Sequence, residues 1–166
     1  PLEEILPEEM VLKLEPGDRL PDAEELGDEA KEDSLIFDFG GYLDPRIITA
    51  LEISDVVIIP VSDFGKKLDT QGFISSIAEA EAYNKKIIIV LNKMREEDAV
   101  AVRSELKKHK YSYPIFEIRK SEAVEKMLNE KKSISTIVKE GGLLGWTYRG
   151  INNDFKKLIN YIKGEK

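Results

Sequence analysis

Cysteine is absent from this sequence of 166 residues, and histidine occurs once, at His109. The lack of thiols excludes disulfide scaffolds, iron–sulfur clusters, thiolate zinc sites and cysteine nucleophiles. A single imidazole also excludes metal sites built from two histidines, and Ser-His-Asp catalysis would have to use His109. That residue lies in the run Lys107-Lys108-His109-Lys110, where a solvated surface histidine is the expected role.

Long apolar runs are also missing from the sequence. No run approaches the roughly 18–20 residues of a membrane-spanning helix, and the chain does not open with a basic and then apolar signal segment. Together with the lack of cysteine, these features favour a cytoplasmic location. Apolar residues still make up 42% of the chain, which is enough to offset chain entropy and exclude a fully disordered protein.

The net charge of −7 is distributed unevenly along the chain. Residues 1–34 carry −10 and residues 35–102 carry −4, whereas residues 103–166 carry +7. The acidic average therefore does not exclude an anionic partner for the C-terminal third.

Short apolar runs alternate with amphipathic segments along most of the chain. The runs predict strands at residues 10–14, 35–37, 56–60, 87–91 and 114–118. The amphipathic segments predict helices after Asp44-Pro45, around residues 73–80, and at residues 96–110, 121–130 and 152–163. Strands that are apolar throughout and alternate with helices predict an α/β protein. Its sheet is expected to be doubly wound and mostly parallel, with helices on both faces.

Polar residues follow the predicted strands at their carboxyl ends, where ligands bind in open α/β sheets. They are Asp38 with Gly40 and Gly41, then Asn92 with Lys93, then Arg119 with Lys120. This combination suits a phosphate ligand with Mg²⁺, since Mg²⁺ is held by one or two carboxylates together with phosphate oxygens. Glycines also let backbone N–H groups approach a phosphate. A plain turn accounts equally well for Asp38 and for Gly40-Gly41.

Two partial motifs indicate other families and are rejected. Asp38-Phe39-Gly40 matches the metal-binding tripeptide of protein kinases, but the sequence contains no His-Arg-Asp. Asn92-Lys93 is similar to the Asn-Lys-x-Asp loop of GTPases, but the fourth position here is Arg95, which cannot accept the hydrogen bonds of guanine. An amide that reads adenine is compatible with these residues.

In this order, the segments resemble the ParA/MinD family of P-loop ATPases with a deviant Walker A motif. The matching stretches are residues 35–41 (Walker B strand and turn), residues 50–60 (Ala-Asp-x-Val-Ile-x-Pro strand), Asn92, residues 118–123, residues 132–134 and residues 148–162. The resemblance covers about residues 34–163. It implies an ATP-dependent dimerisation switch in plasmid or chromosome partitioning, with ATP and Mg²⁺ as cofactors. It also implies a homodimer with ATP and a ParB-like activating partner.

The phosphate-binding loop of that family does not occur in the sequence. Neither Gly-x-x-x-x-Gly-Lys-[Ser/Thr] nor Lys-Gly-Gly-x-Gly-Lys-Thr is present. Either the loop precedes Pro1, which is the favoured expectation, or the chain is a degenerate relative that does not hydrolyse ATP. Residues 1–34 are then expected to be an acidic strand and loop segment of the same domain as residues 35–166. These 166 residues alone are expected to have no ATPase activity.

The resemblance also implies roles for individual residues. Asp38 would hold Mg²⁺ through water, and the Gly40-Gly41 turn would sense the γ-phosphate. Asn92, followed by Lys93, would hydrogen-bond adenine, and the loop at Ile118 and Arg119 would close over the base. Nonspecific DNA would contact the cations Arg103, Lys107, Lys108, Lys110, Arg119 and Lys120 through phosphate charge. A solvated helix end is the plain alternative for the lysines near His109.

Two alternative functions remain open from the sequence. One is a degenerate, nucleotide-independent P-loop-like scaffold. The other is a MinD-like membrane-positioning ATPase, whose amphipathic helix would present Phe155, Leu158, Ile159 and Ile162 to lipid. Such a stripe more often packs on a core, so membrane binding is not expected.

Overall fold

The computed structural model describes residues 14, 17–21, 35–39, 44–62, 67–83 and 86–164. These residues form three strands, which are β1 (Val56–Val61), β2 (Lys86–Asn92) and β3 (Ile115–Ile118). They also form six helices, which are α1 (Arg46–Ile53), α2 (Lys67–Ala82), α3 (Glu96–Lys108), α4 (Ala123–Glu130), α5 (Ile134–Glu140) and α6 (Gly142–Lys163). The predicted strand at residues 10–14 and the Gly40-Gly41 turn fall outside these residues, except for Leu14.

The three strands form a parallel sheet in the order β1-β2-β3, with Ile58 opposite Ile88 and Val90 opposite Phe116. β2 is the central strand, and all five residues from Ile87 to Leu91 are buried. A strand of this kind is apolar throughout because helices cover both faces of a parallel sheet. The predicted α/β class with a parallel sheet is therefore confirmed.

Each face of β2 belongs to a separate core. Ile87, Ile89 and Leu91 pack with α2 and α3, whereas Ile88 and Val90 pack with the C-terminal helices. The first core includes Phe73, Ile77, Ala80, Ala99, Val102 and Leu106. The second includes Ala123, Ile134, Ile137, Tyr148, Ile151 and Leu158. Helices α2 and α3 share a face because successive right-handed crossovers run in one direction along the sheet.

The predicted buried strand at residues 35–37 is wrong. Residues 35–39 have no regular secondary structure, and the side chains of Leu35 and Ile36 are 51% and 73% exposed. A short apolar run becomes a strand only where a neighbour pairs with its backbone groups, and no described strand pairs with this run. The strands of the described sheet also follow one another in chain order, β1-β2-β3. The reversal of strand order that defines a doubly wound sheet therefore does not occur among the described strands.

The helix predicted after Asp44-Pro45 is confirmed as α1. The backbone N–H of Arg46 donates to Asp44 Oδ1 at 2.9 Å, which satisfies one of the free donors at the helix start. The helices predicted for residues 73–80, 96–110 and 121–130 are also present, as α2, α3 and α4.

The C-terminal helices differ from the prediction. The last helix begins at Gly142, ten residues before the predicted start, and the short helix α5 precedes it. The glycines of this segment suggest helix breakers, but Gly145 allows close packing: a Cβ there would lie 3.0 Å from the carbonyl oxygen of Val138. Ser133 caps α5 by accepting the N–H of Thr136 at 3.1 Å.

The apolar stripe of α6 faces the sheet. Leu158 is buried, Phe155 and Ile162 pack against the second core, and only Ile159 in the stripe is substantially exposed, at 46%. The stripe is therefore core packing, as the sequence favours. Within the described part of the chain, no helix has the length and apolar character needed to cross a membrane.

Because β2 is buried on both faces, truncation of an isoleucine in β2 should destabilise the protein more than truncation of an exposed isoleucine in β1. Ile89→Ala should lower the free energy of unfolding by about 2–5 kcal/mol, because Ile89 is fully buried and the substitution leaves a cavity. Ile58→Ala, in the 44% exposed position of β1, should cost about 1 kcal/mol or less. Urea denaturation of both variants measures the difference, and equal losses would contradict this assignment of the core.

Candidate functional site

The carboxyl ends of β2 and β3 are joined by a backbone hydrogen bond. The N–H of Lys93, just after β2, donates to the carbonyl oxygen of Ile118, the last residue of β3, at 2.9 Å. Lys93 adopts a left-handed conformation with φ of 58°, which costs a non-glycine residue about 1–2 kcal/mol. Backbone strain of this kind persists where the surroundings fix it and is concentrated at functional sites.

A small cavity of about 250 Å³ lies beside this junction, on the face of the sheet that carries α6. Its walls are mostly apolar and include Ile58, Pro60, Val90, Phe155 and Leu158. The four residues predicted to surround a base, Asn92, Lys93, Ile118 and Arg119, also line it. The structure therefore brings this predicted set together at one cavity with apolar walls and a polar rim.

Arg119 is fixed on α6 by a bidentate ion pair. Its Nε lies 2.6 Å from Asp154 Oδ2, and its Nη2 lies 3.0 Å from Asp154 Oδ1. The guanidinium lies over Gly150, where a Cβ would stand 2.9 Å from Nη1. The Asp154 side chain is 8% exposed while that of Arg119 is 60% exposed, so the pair presents the arginine to solvent from a buried anchor.

The ion pair changes the acidity of both partners. Burial raises the pKa of the Asp154 carboxyl, but the hydrogen bonds and positive charge of Arg119 outweigh it, so the pKa lies below its usual 3.8. Asp154 in turn raises the pKa of the Arg119 guanidinium. Asp154 is absent from the residues that the sequence predicts for the site, although it is the single acid between residues 142 and 163. Such an isolated acid in a basic and apolar helix is a detectable signal.

A second and larger cavity, of about 640 Å³, is open along β3. Ile118 and Arg119 separate it from the apolar cavity, since they line both. Its cations are Arg95, Arg119, Lys120 and Lys157. The carboxyl edge of the described sheet therefore carries two adjacent cavities that share one arginine.

The predicted Mg²⁺ ligand lies apart from this arrangement. Asp38 is exposed, belongs to the irregular residues 35–39, and lines neither cavity. Among the described residues, no group of three or more His, Asp or Glu side chains is placed to hold a metal ion. A lone carboxylate fits Mg²⁺ only with water and phosphate oxygens as the remaining ligands. Gly40 and Gly41, its predicted neighbours in the site, lie outside the described residues.

The cations predicted to contact DNA fall into two groups. Helix α3 runs back from the carboxyl edge, so Lys107, Lys108 and Lys110 lie where the strands begin. Arg119 and Lys120 lie where the strands end. The 13 residues of α3 span about 20 Å at 1.5 Å per residue, so the lysines at its end are separated from Arg119 and Lys120, and Arg103 lies between the two groups.

Ion pairs engage several of these cations. Arg103 pairs with Glu117, Lys108 pairs with Glu105 at 2.8 Å, and Arg119 pairs with Asp154. Lys107, Lys110 and Lys120 are exposed and form no salt bridge with a described residue. These three are therefore the members of the set that are most available to an external anion.

Comparison of the chain with protein-family models, with curated proteins and with solved structures found no match. The resemblance to the ParA/MinD family therefore stays a prediction from the motifs.

The Arg119–Asp154 pair makes stability depend on pH in a defined direction. Because the folded-state pKa of Asp154 is depressed, its contribution is present above the unfolded pKa of about 4 and is lost as the pH falls through the folded pKa. Asp154→Asn should therefore unfold at a lower temperature than the unaltered protein at pH 7, and the gap should narrow below about pH 4. Thermal unfolding midpoints of both proteins, recorded from pH 7 to pH 3, measure this gap.

Asp55→Asn provides the control for this titration. Asp55 is exposed and makes no salt bridge within the described part of the chain, so its replacement should leave the midpoint nearly unchanged at every pH. A gap for Asp154→Asn that stayed constant down to pH 3 would show that the ion pair is not its cause.

Proposed function

We propose that the chain is part of an ATP-dependent dimerisation switch of the ParA/MinD type, which acts in plasmid or chromosome partitioning and binds ATP with Mg²⁺ and nonspecific DNA. In this proposal the sheet is the P-loop-type, doubly wound sheet that the motifs indicate. The observation that carries the proposal is the meeting of Asn92, Lys93, Ile118 and Arg119 at one cavity. These residues come from separate strand ends, and the family resemblance selects the same four.

The chemistry of the small cavity supports a purine base as its occupant. Its apolar walls suit the two faces of a flat ring, while a few polar groups at the rim fix the orientation, as is usual in small-molecule sites. The Asn92 side-chain amide both donates and accepts hydrogen bonds, which matches the amino group and ring nitrogens of adenine. Arg119 offers a planar cation that can stack on a base.

The charges at the carboxyl edge support phosphates beyond the base. Lys93 lines the small cavity and Lys120 lines the larger one, with Arg119 between them. Asp38 would hold Mg²⁺ through water when phosphate oxygens supply the other ligands. A bound metal would neutralise charge on the phosphates while the γ-phosphoryl group is transferred to water. The lysines of a phosphate-binding loop would have to come from outside the printed sequence.

The DNA-binding part of the proposal is supported by the end of α3. Lys107 and Lys110 are exposed there and lack salt bridges to described residues. A patch of this kind binds phosphates without reading sequence. A second copy of the chain would join through ATP and a ParB-like partner would trigger hydrolysis, as the resemblance implies.

If Asn92 hydrogen-bonds adenine, removal of its side-chain amide should weaken nucleotide binding. Asn92→Ala should weaken binding of ATP with Mg²⁺ by about three- to tenfold, the usual effect of one lost hydrogen bond. Asn160→Ala, which removes an exposed side-chain amide from α6, should leave the affinity for ATP with Mg²⁺ unchanged. Titration followed by two-dimensional NMR measures both affinities, and amide shifts should be concentrated at residues 90–93 and 118–120.

GTP in the same titration tests base selectivity, and it should bind more weakly because Arg95 replaces the acid that guanine requires. If ATP with Mg²⁺ neither shifts these amides nor raises the melting temperature of a chain to which a phosphate-binding loop has been restored, the nucleotide-independent scaffold replaces this proposal.

DNA binding predicts a change in salt dependence. The double substitution Lys107→Ala with Lys110→Ala should reduce the slope of log affinity against log salt by about 2, since each lost phosphate contact contributes about 0.9. Fluorescence anisotropy with a labelled duplex at several salt concentrations measures the slope. Lys139→Ala with Lys163→Ala removes the same charge from α5 and α6 and should leave the slope intact. Equal slopes for both double variants would place the DNA contact elsewhere.

A further inference from the structure

β3 has one unpaired edge in the described part of the chain. It pairs with β2 on one side only. On that side, the N–H of Ile89 donates to Pro114 O at 3.0 Å and the N–H of Lys93 donates to Ile118 O at 2.9 Å. Because neighbouring residues of a strand point their peptide groups to opposite sides, the N–H and C=O of Ile115 and Glu117 point away from β2. No strand among the described residues pairs with these groups, so they can accept a further strand.

The larger cavity is a groove along this edge. All four residues of β3 line it, which requires access to the strand from its edge and not from one face. One wall comes from Met94, which precedes α3, and from Glu96 and Ala99 in the first turn of α3. The other wall comes from Asp154 and Lys157 of α6. A strand edge between two helices, with about 640 Å³ of open volume, has the form of sites where an extended peptide is added to a sheet.

The other open edge of the described sheet is less suited to this role. β1 contains Pro60, which has no N–H to donate and is typical of a strand edge that does not pair. β3 contains no proline between Ile115 and Ile118. The groove therefore lies at the edge that retains its full hydrogen-bonding capacity.

The charges of the groove indicate the chemistry of its ligand. Its three acids are Glu96, Glu117 and Asp154, of which Glu117 is paired with Arg103 and Asp154 with Arg119. Lys120 and Lys157 are exposed and form no salt bridge with a described residue. Glu96 also forms no salt bridge with a described residue, so two lysines and one acid of the groove remain without an ion pair among the described residues, and their net charge is positive.

We propose that an acidic, extended segment of a partner protein binds in this groove as a fourth strand parallel or antiparallel to β3. Its backbone would exchange hydrogen bonds with Ile115 and Glu117, and its carboxylates would meet Lys120 and Lys157. The four residues of β3 span about 13 Å at 3.3 Å per residue, so a segment of four to six residues is expected to fill the edge. Strand addition at this edge needs no bound nucleotide, although the groove shares Arg119 with the small cavity and contains Lys120, which the proposed function places near the phosphates.

A labelled hexapeptide of alternating valine and glutamate is the probe for this groove. It should bind the full 166-residue chain saturably in fluorescence anisotropy, and a valine and lysine analogue should bind at least about tenfold more weakly because its charges oppose those of the groove. Bound peptide should slow hydrogen exchange of the Ile115 and Glu117 amides. No saturable binding, or equal binding of the two peptides, would overturn the proposal.

Two substitutions at one position separate backbone pairing from side-chain effects. Glu117→Pro removes an outward N–H but no hydrogen bond to β2, and should weaken peptide binding by about tenfold or more, the effect of a lost backbone bond and a reshaped edge. Glu117→Val also removes the carboxylate but keeps the N–H, and should bind at least as well as the unaltered chain. Circular dichroism checks that both variants fold. Equal affinity of the two folded variants would contradict strand addition.

Reversing the charge of the two groove lysines tests peptide binding independently, in case Glu117→Pro does not fold. Lys120→Glu with Lys157→Glu should abolish binding of the acidic peptide, whereas Lys156→Glu with Lys163→Glu, on α6 outside the groove, should leave it within about twofold of normal. A second copy of the chain is the other possible occupant of the edge, and analytical ultracentrifugation of the chain without peptide tests for such a dimer. A dimer that is lost with Glu117→Pro and kept with Glu117→Val would assign the edge to a second copy and overturn the proposal.

Discussion

Burial of β2 on both faces is the constraint on which the rest of the described structure depends. Five successive apolar residues, from Ile87 to Leu91, contact separate cores above and below the sheet. Each core needs its own layer of helices, because an apolar strand exposed on either face would lose the burial that stabilises it. The positions of α2 and α3 on one side and α4, α5 and α6 on the other follow from that requirement. The strand ends, and with them the candidate site, are fixed by the same packing.

The sequence predicts elements that have strong local signals and misses those that depend on neighbours. The runs at residues 56–60 and 87–91 are long enough and apolar enough to identify β1 and β2 without tertiary information. The run at residues 35–37 is also apolar throughout but is irregular, with Leu35 and Ile36 exposed, since pairing with another strand cannot be derived from composition. Gly145 is a case in which tertiary packing overrides local propensity, because a residue that weakens an isolated helix permits α5 and α6 to touch.

The candidate site shows the same division. The rule that ligands bind at the carboxyl ends of parallel strands selects Asn92, Lys93 and Arg119, and these residues do line one cavity. The buried anchor of Arg119 was missed, since Asp154 is 35 residues away along the chain and no local pattern joins them. The cations predicted to contact DNA form one group by residue type, but the turn from α3 into β3 leaves Lys107, Lys108 and Lys110 where the strands begin and Arg119 with Lys120 where they end. Topology decides such groupings, and residue type alone does not.

Arg119 belongs to the walls of both cavities at the carboxyl edge. A molecule that moves this guanidinium when it enters one cavity also changes the shape and charge of the other. Thermodynamic linkage makes that influence reciprocal, so each occupant would alter the affinity for the other by the same factor. The sign of the coupling would depend on whether both occupants prefer the arginine on Asp154 or away from it. One bidentate ion pair would thus act as the common variable through which two separate binding events communicate.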